Sequence, residues 1–119
     1  MVIKAKISDY QQVTPPPRGW MEVLIYRVLE NYCLQRFNSS IRTVNKRVRP
    51  VFYYCVSQTG ADWQTFRKRW NVCPNTYRKY VREGEQLAKK TKQGKKFYNE
   101  IMTLLKLAIK ERRFVSLLD

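Results

Sequence analysis

The 119-residue chain contains no histidine, only nine acidic residues and three cysteines, and each shortage excludes a class of function. Without histidine the usual zinc sites are nearly excluded, and the side chain that most often performs acid–base chemistry near neutral pH is absent. The few carboxylates are spread along the chain and form no paired motif. We therefore expect a protein that is not an enzyme and that uses no metal and no cofactor.

The three cysteines, Cys33, Cys55 and Cys73, are scattered and have no metal-ligand spacing. Isolated thiols in odd number are typical of a reducing compartment, and we interpret them as small buried apolar residues. No apolar run approaches the roughly 18 residues that cross a bilayer, and the first residues lack the order of a secretory signal. These shortages predict a cytoplasmic protein with no membrane span.

What the chain has in excess is positive charge: 24 Lys and Arg residues against 9 acidic residues, a net charge of +15. Residues 42–96 hold fifteen basic and three acidic residues, whereas residues 1–41 and 97–119 are close to balanced. A compact chain of this charge repels itself, and a polyanionic partner offsets that repulsion. The placement of the charge therefore predicts a nucleic-acid partner.

Apolar residues recur mostly at steps of three and four, which predicts a mainly α, small helical domain. We expect residues 1–18 to form an N-terminal arm and a Pro-rich connector, and residues 19–119 to form the single domain. The weak alternation within residues 1–14 fits a short edge strand or an ordered arm. Residues 51–57 fit either a buried strand or a helix that begins near Pro50, and we favour the helix.

Two further helices and a linker are predicted outside the centre of the chain. Helical spacing indicates a first helix over residues 20–37 and a long amphipathic C-terminal helix over residues 97–118. The lysine-rich residues 89–96 are expected to form a solvated basic linker or a frayed helix extension. We favour an apolar face on the C-terminal helix that completes the core, and the same face also suits a homodimer contact or an anionic membrane surface. Its inward residues are expected to be Phe97, Ile101, Leu104, Leu105, Ala108 and Ile109.

Residues 62–88 predict two helices joined by a tight turn at the centre of the chain. Asp62 is a suitable N-cap for the first helix, and Pro74 suits the first turn of the second. Asn71 lies where the chain must turn sharply, and Asn tolerates the left-handed conformation better than most residues. These signals predict helices that begin near Trp63 and near Pro74.

The apolar residues of this segment fall where two crossing helices would meet. Phe66 and Trp70 lie one helical turn apart on the first helix, and Tyr77 faces back from the second. The segment "KRWNVCPNTYRKYV" resembles the helix-turn-helix family of DNA-binding domains, and the resemblance covers residues 63–82. Because the resemblance covers only these twenty of the 119 residues, it identifies a module rather than a particular protein. Arg67 departs from the small residue, and Asn71 from the Gly, that are usual in the family.

The resemblance implies a recognition helix over residues 74–82 that lies in the major groove of double-stranded DNA. Arg pairs well with guanine and Asn with adenine, and exposed polar residues early in this helix would therefore contact bases. The implied base contacts are Asn75, Thr76, Arg78 and Lys79. Basic residues around them would contact phosphates and set affinity rather than sequence preference. The implied phosphate contacts are Arg42, Lys46, Arg47, Arg67, Lys68, Arg69, Arg82, Lys89, Lys90, Lys92, Lys95 and Lys96.

These assignments predict a regulator, or an accessory factor of replication, partition or a mobile element, that is associated with the nucleoid. Proteins that read duplex DNA with this unit often work as homodimers. A second interpretation is a sequence-tolerant protein that binds RNA or single strands, such as a ribonucleoprotein subunit. The stretches "VFYYC", "WQTFRKRW" and "YRKY" interleave aromatic with basic residues, as stacking platforms do, and Tyr53, Tyr54 and Trp70 would then stack on bases. The first interpretation predicts a preference for duplex and a defined site, and the second predicts neither.

Overall fold

The computed structural model describes residues 5–8 and 19–117. Within these ranges the chain is mainly helical, with five helices and one antiparallel pair of short strands. The mainly α fold predicted from the spacing of apolar residues is therefore confirmed. In chain order the elements are β1 Ala5–Ser8, α1 Trp20–Phe37, α2 Arg49–Ser57, α3 Trp63–Arg69, α4 Pro74–Lys90, α5 Lys92–Glu111 and β2 Phe114–Leu117.

The two strands lie next to each other and bring the ends of the described chain together. β1 pairs antiparallel with β2, with Ala5 opposite Leu117 and Ser8 opposite Phe114. Val115 of β2 is fully buried and joins the core. The strand expected as one option for the first residues is thus present at 5–8, while the Pro-rich connector lies outside the described residues.

The run of apolar residues in α2 is helical, as favoured from the sequence. Pro50 occupies the first turn of α2, where its missing N–H costs no hydrogen bond, and all residues from Val51 to Val56 are buried. A helix buried on every side carries no amphipathic period, which explains why a strand fitted the same residues equally well.

The predicted end of the C-terminal helix was wrong. α5 stops at Glu111, because Arg112 takes a left-handed conformation with φ 53° and its N–H bonds to the carbonyl of Ala108. The chain then reverses, and β-branched and aromatic residues of β2 pair with β1. The apolar face of α5 still completes the core, with Ile101 and Leu105 fully buried.

Of the two forms expected for residues 89–96, the structure has helix rather than a linker. Lys89 and Lys90 end α4, and α5 begins immediately after Thr91, whose hydroxyl oxygen accepts a hydrogen bond from the N–H of Gly94 at 2.9 Å. A Cβ on Gly94 would overlap the carbonyl of Leu87, and glycine therefore permits this sharp corner. Lysine is a good helix former, so a lysine-rich segment with a cap needs no linker.

Helix α1 has the predicted bounds, but two of its apolar residues face outward. Ile25 and Leu29 are fully buried, whereas the exposed fractions of Val23 and Leu34 are 49% and 57%. Helical spacing alone does not show which side of α1 its neighbours cover. The cysteine interpretation was likewise only partly right, since Cys33 and Cys55 are buried and Cys73 is exposed.

A buried carboxylate joins α1 to α5. Glu100 is 2% exposed, accepts a hydrogen bond from the hydroxyl of Tyr32 at 2.6 Å, and pairs with the guanidinium of Arg36 at 2.8 Å. Burial, and then the bond to Glu100, raise the pKa of Tyr32 well above its ordinary value. Burial alone would lower the pKa of Arg36, but the neighbouring carboxylate raises it. The side chains of Tyr32 and Arg36 therefore both donate to the buried carboxyl group of Glu100.

Replacing Glu100 with Gln is expected to lower the free energy of unfolding by about 1–2 kcal/mol, because the ion pair with Arg36 is lost and one of the two donors meets the amide NH2 of glutamine instead of an oxygen. Urea denaturation followed by circular dichroism measures this change. Glu111→Gln, which removes an exposed carboxylate from the same helix, is the matched control and should change stability by less than about 0.5 kcal/mol. Equal stability of the two variants would contradict a structural role for the buried cluster.

Candidate nucleic-acid interface

The turn between α3 and α4 forms from the local signals that the sequence contains. The Oδ1 atom of Asp62 accepts a hydrogen bond from the N–H of Gln64 at 3.1 Å and caps α3. α3 ends before Trp70, and Asn71 adopts the left-handed conformation with φ 55°. Pro74 occupies the first turn of α4. The predicted starts of both helices and the predicted turn residue are confirmed.

The interior of this unit is aromatic and includes a residue from α2. Phe66, Trp70 and Tyr77 are nearly fully buried, as their spacing predicted. Tyr53 of α2 lies between α3 and α4, with its ring centroid 4.9 Å from that of Trp70 and 4.9 Å from that of Tyr77. Trp63 also contacts Tyr77 directly, at 5.3 Å. α2 is therefore a third member of the helical unit.

The closest approach of α4 is to α2. A Cβ on Gly84 would overlap the backbone carbonyl of Pro50 and would lie 2.8 Å from the Cβ of Tyr54. This contact anchors the far half of α4, whereas Tyr53 anchors the near half through Tyr77 and Tyr80. With one side of α4 held in this way, its opposite side faces solvent.

That opposite side is a continuous polar stripe, here named the α4 stripe. Its members fall within about a third of the helix circumference, because steps of three, four and seven residues return to one face. Every member is exposed: Asn75, Arg78, Lys79, Arg82, Gln86, Lys89 and Lys90. The acidic Glu83 and Glu85 flank the stripe and pair with Lys79 at 3.9 Å and with Lys89 at 3.3 Å. The stripe is about 25 Å long at 1.5 Å per residue.

Three of the four predicted base-contacting residues lie on the α4 stripe, and the fourth does not. Asn75, Arg78 and Lys79 are exposed on it. Thr76 is half-buried at its side, and its hydroxyl lies 3.0 Å from the Sγ atom of Cys73. The structure therefore places Thr76 against the turn rather than on the exposed face.

Two arginines of this region stack on aromatic rings. The guanidinium of Arg78 lies 5.2 Å from the centroid of Trp63, and that of Arg69 lies 4.5 Å from the centroid of Tyr26. Arg78, Arg82 and Trp63 line a cleft of about 480 Å³. Stacking fixes the direction of a long side chain while leaving its N–H groups available to a ligand.

The predicted phosphate contacts form groups around α4. Arg67 is half-buried, and its Nε donates to the side chain of Gln64 at 2.7 Å, so it is less available than the other residues. One group lies in the last turn of α3, a second along the α4 stripe, a third in the first turns of α5, and a fourth in the turn before α2. In that order their exposed members are Lys68, Arg69, Arg82, Lys89, Lys90, Lys92, Lys95, Lys96, Arg42, Lys46 and Arg47.

The structure brings one of these residues, Arg42, to the start of α4. Arg42 lines a cleft of about 290 Å³, here named the turn cleft, together with Arg49, Tyr53, Trp70, Cys73 and Thr76. The hydrogen bond to Thr76 lowers the pKa of the Cys73 thiol, and backbone N–H groups act in the same direction. Burial raises the pKa of Tyr53 to about 12. The turn cleft is a tertiary feature, and nothing in the spacing of the sequence indicated Arg49 or Cys73 as part of a site.

The stacking residues of the second interpretation are in the core. Tyr53 and Trp70 are each 1% exposed and Tyr54 is 8% exposed. Rings that are covered by other side chains cannot stack on nucleotide bases. The assignment of these three residues as a stacking platform was therefore wrong, because their spacing reflects packing between α2, α3 and α4.

Comparison with known proteins gives no match: no family model fits the chain, and no curated protein or solved structure matches it. The resemblance to the helix-turn-helix family therefore stays a prediction. Among the described residues, no helix is both long enough and apolar enough to span a membrane. Within the same residues, no cluster of three or more Cys, Asp or Glu side chains could hold a metal ion.

Proposed function

We propose that the protein binds double-stranded DNA, with the α4 stripe in the major groove and the surrounding lysines and arginines on the phosphates. The observation that carries the proposal is the stripe itself, an exposed polar face with Arg78, Lys79 and Arg82 on a helix that follows a tight turn. An α-helix fits the major groove, and Arg and Asn side chains read base edges there. The net charge of +15 supplies the sequence-independent part of the affinity.

The biological role that suits this activity is that of a regulator, or of an accessory factor of replication, partition or a mobile element, associated with the nucleoid. A homodimer would place two copies of α4 on successive half-sites. The apolar face of α5 covers the domain core, with Leu104 and Ala108 buried, and a dimer would have to use other residues. Sedimentation at micromolar concentration decides this, since a mass of one chain would remove the dimer from the proposal.

A second candidate is the binding of single strands or RNA with little sequence preference. The observation in its favour is the cleft of about 480 Å³ in which half-buried Trp63 lies beside Arg78 and Arg82, where one base could stack and its phosphate could pair. This cleft offers one aromatic ring for stacking on a base, whereas the buried residues Tyr53, Tyr54 and Trp70 would have offered three. The duplex proposal uses more of the exposed surface.

Arg78→Ala is expected to weaken binding by about 1–3 kcal/mol at a site selected from a random duplex pool, and to relax sequence preference there. Fluorescence anisotropy on the selected site and on random duplex measures both effects. The matched comparison is Lys95→Ala with Lys96→Ala, which should weaken binding to all duplexes about equally because these exposed residues lie in the first turns of α5 and are not members of the α4 stripe. If Arg78→Ala were no more severe at the selected site than on random duplex, the recognition assignment would be wrong.

A further inference from the structure

The turn cleft differs from the α4 stripe because it is concave and partly lined by buried groups. Two guanidinium groups, those of Arg42 and Arg49, line its volume of about 290 Å³, and no acidic side chain is among its described lining residues. Besides burial, Glu30 acts from outside this lining to raise the pKa of Tyr53, whereas Arg42 and Arg49 act in the opposite direction. A concave site with two cationic side chains in its wall concentrates positive potential. Its shape and charge suit a compact anion.

Two donors at the turn cleft have no acceptor among the described residues. Trp70 lines the cleft and is only 1% exposed, and its indole Nε1–H makes no hydrogen bond within the described part of the chain. The Nε–H of Arg49 likewise has no acceptor among the described residues, although the Nη2 atom of the same side chain donates to the carbonyl of Val44 at 2.9 Å. An unpaired buried donor costs free energy, and a ligand oxygen near these groups would remove that cost.

The start of α4 adds a third source of positive potential. Cys73 is the N-cap residue of this 17-residue helix and its side chain makes no capping hydrogen bond, although first-turn N–H groups lie close enough to lower the pKa of its thiol. Amide groups at a helix N-terminus favour an anion. The lowered pKa of the Cys73 thiol agrees, since the local environment favours negative charge there. The hydroxyl of Thr76 lies at the same edge of the cleft.

We propose that the turn cleft binds one phosphate group, held by the guanidinium groups of Arg42 and Arg49 and by the indole N–H of Trp70. This step rests on the proposed function, in which the phosphate belongs to the DNA backbone beside the start of α4. The planar fork of an arginine matches two phosphate oxygens, which makes such a contact directional. A phosphate held at this point fixes where α4 enters the groove but carries no sequence information. A free phosphate monoester would present the same phosphate group to the cleft.

The test follows the indole N–H resonance of Trp70 by NMR in the full chain, with Trp70→Phe used to assign it among the three tryptophans. One sample receives a random-sequence duplex and a second receives inorganic phosphate. A third sample, with chloride at the same ionic strength as the phosphate, is the control. Binding to the same duplex is measured by anisotropy for Arg42→Gln and for Arg47→Gln. Arg47 is the matched control because it is an exposed arginine in the same turn that does not line the cleft.

The resonance is expected to shift with duplex, and Arg42→Gln is expected to weaken duplex binding about tenfold and to abolish the shift. Arg47→Gln should weaken binding less and leave the shift in place. Duplex binding without any shift of Trp70 would overturn the cleft while the proposed function stands. A shift with inorganic phosphate but no duplex binding would support the cleft as a phosphate site and would overturn the claim that this phosphate belongs to DNA. No shift with either ligand and no duplex binding would overturn both.

Discussion

Gly84→Ala is expected to lower the free energy of unfolding by about 3 kcal/mol, through overpacking between α2 and α4. The added methyl group would overlap the carbonyl of Pro50 and press on the Cβ of Tyr54, which are main-chain and near-main-chain atoms with no rotamer to change. The helices would have to separate, and the aromatic contacts around Tyr53 would loosen with them. Thermal and urea denaturation, followed by circular dichroism, measure the loss.

The control for this prediction is Gln86→Ala on the same helix. Gln86 is exposed on the α4 stripe, and its replacement should change stability by less than about 0.5 kcal/mol. Alanine is also the better helix former at both positions, so helix propensity alone would stabilise both variants. If Gly84→Ala proved as stable as Gln86→Ala, α2 and α4 would not approach as closely as described here.

The double variant Arg78→Gln with Arg82→Gln is expected to lower the affinity for duplex DNA at least tenfold at moderate salt. Each lost phosphate contact reduces the slope of log K against log salt by about 0.9. Arg82 is assigned to a phosphate and Arg78 to a base edge, and the slope should therefore become shallower by about 1. Both residues are exposed on the α4 stripe, so the fold should be retained. Anisotropy titrations at several salt concentrations measure the affinity and the slope together.

Lys106→Gln with Lys110→Gln is the matched control for the stripe. It also removes two positive charges from exposed positions four residues apart on a helix, but that helix is α5. Long-range charge alone would make the two double variants similar, since both reduce the net charge equally. A control variant that loses as much affinity and slope as the stripe variant would show that binding depends on overall charge, and it would contradict the assignment of α4.

The parts of the fold that were predictable from the sequence depend on neighbours along the chain. Asp62 caps α3, Asn71 takes the left-handed turn and Pro74 begins α4, as their local chemistry requires. The stripe residues Arg78 and Lys79 were also predictable, because an exposed helical face is the complement of its buried one. These features require no knowledge of what packs against them.

The parts that were not predictable depend on contacts between distant segments. The reversal at Arg112 and the strand that follows exist because β1 is available as a partner. Tyr53 fits a stacking residue equally well until α3 and α4 are seen to cover it. Arg42 and Thr76 line the same cleft although they are distant in the sequence, and no spacing along the chain predicts that they lie close together.

The most direct test of duplex recognition by α4 compares the binding of random-sequence duplex, single-stranded DNA and structured RNA at two salt concentrations by fluorescence anisotropy. If α4 recognises duplex DNA, the protein binds duplex most tightly, and its affinity falls steeply as the salt concentration rises. Tighter binding to single strands or RNA than to duplex would contradict it. Such a result would move the site to the cleft at Trp63, where Arg78 and Arg82 could hold a single nucleotide.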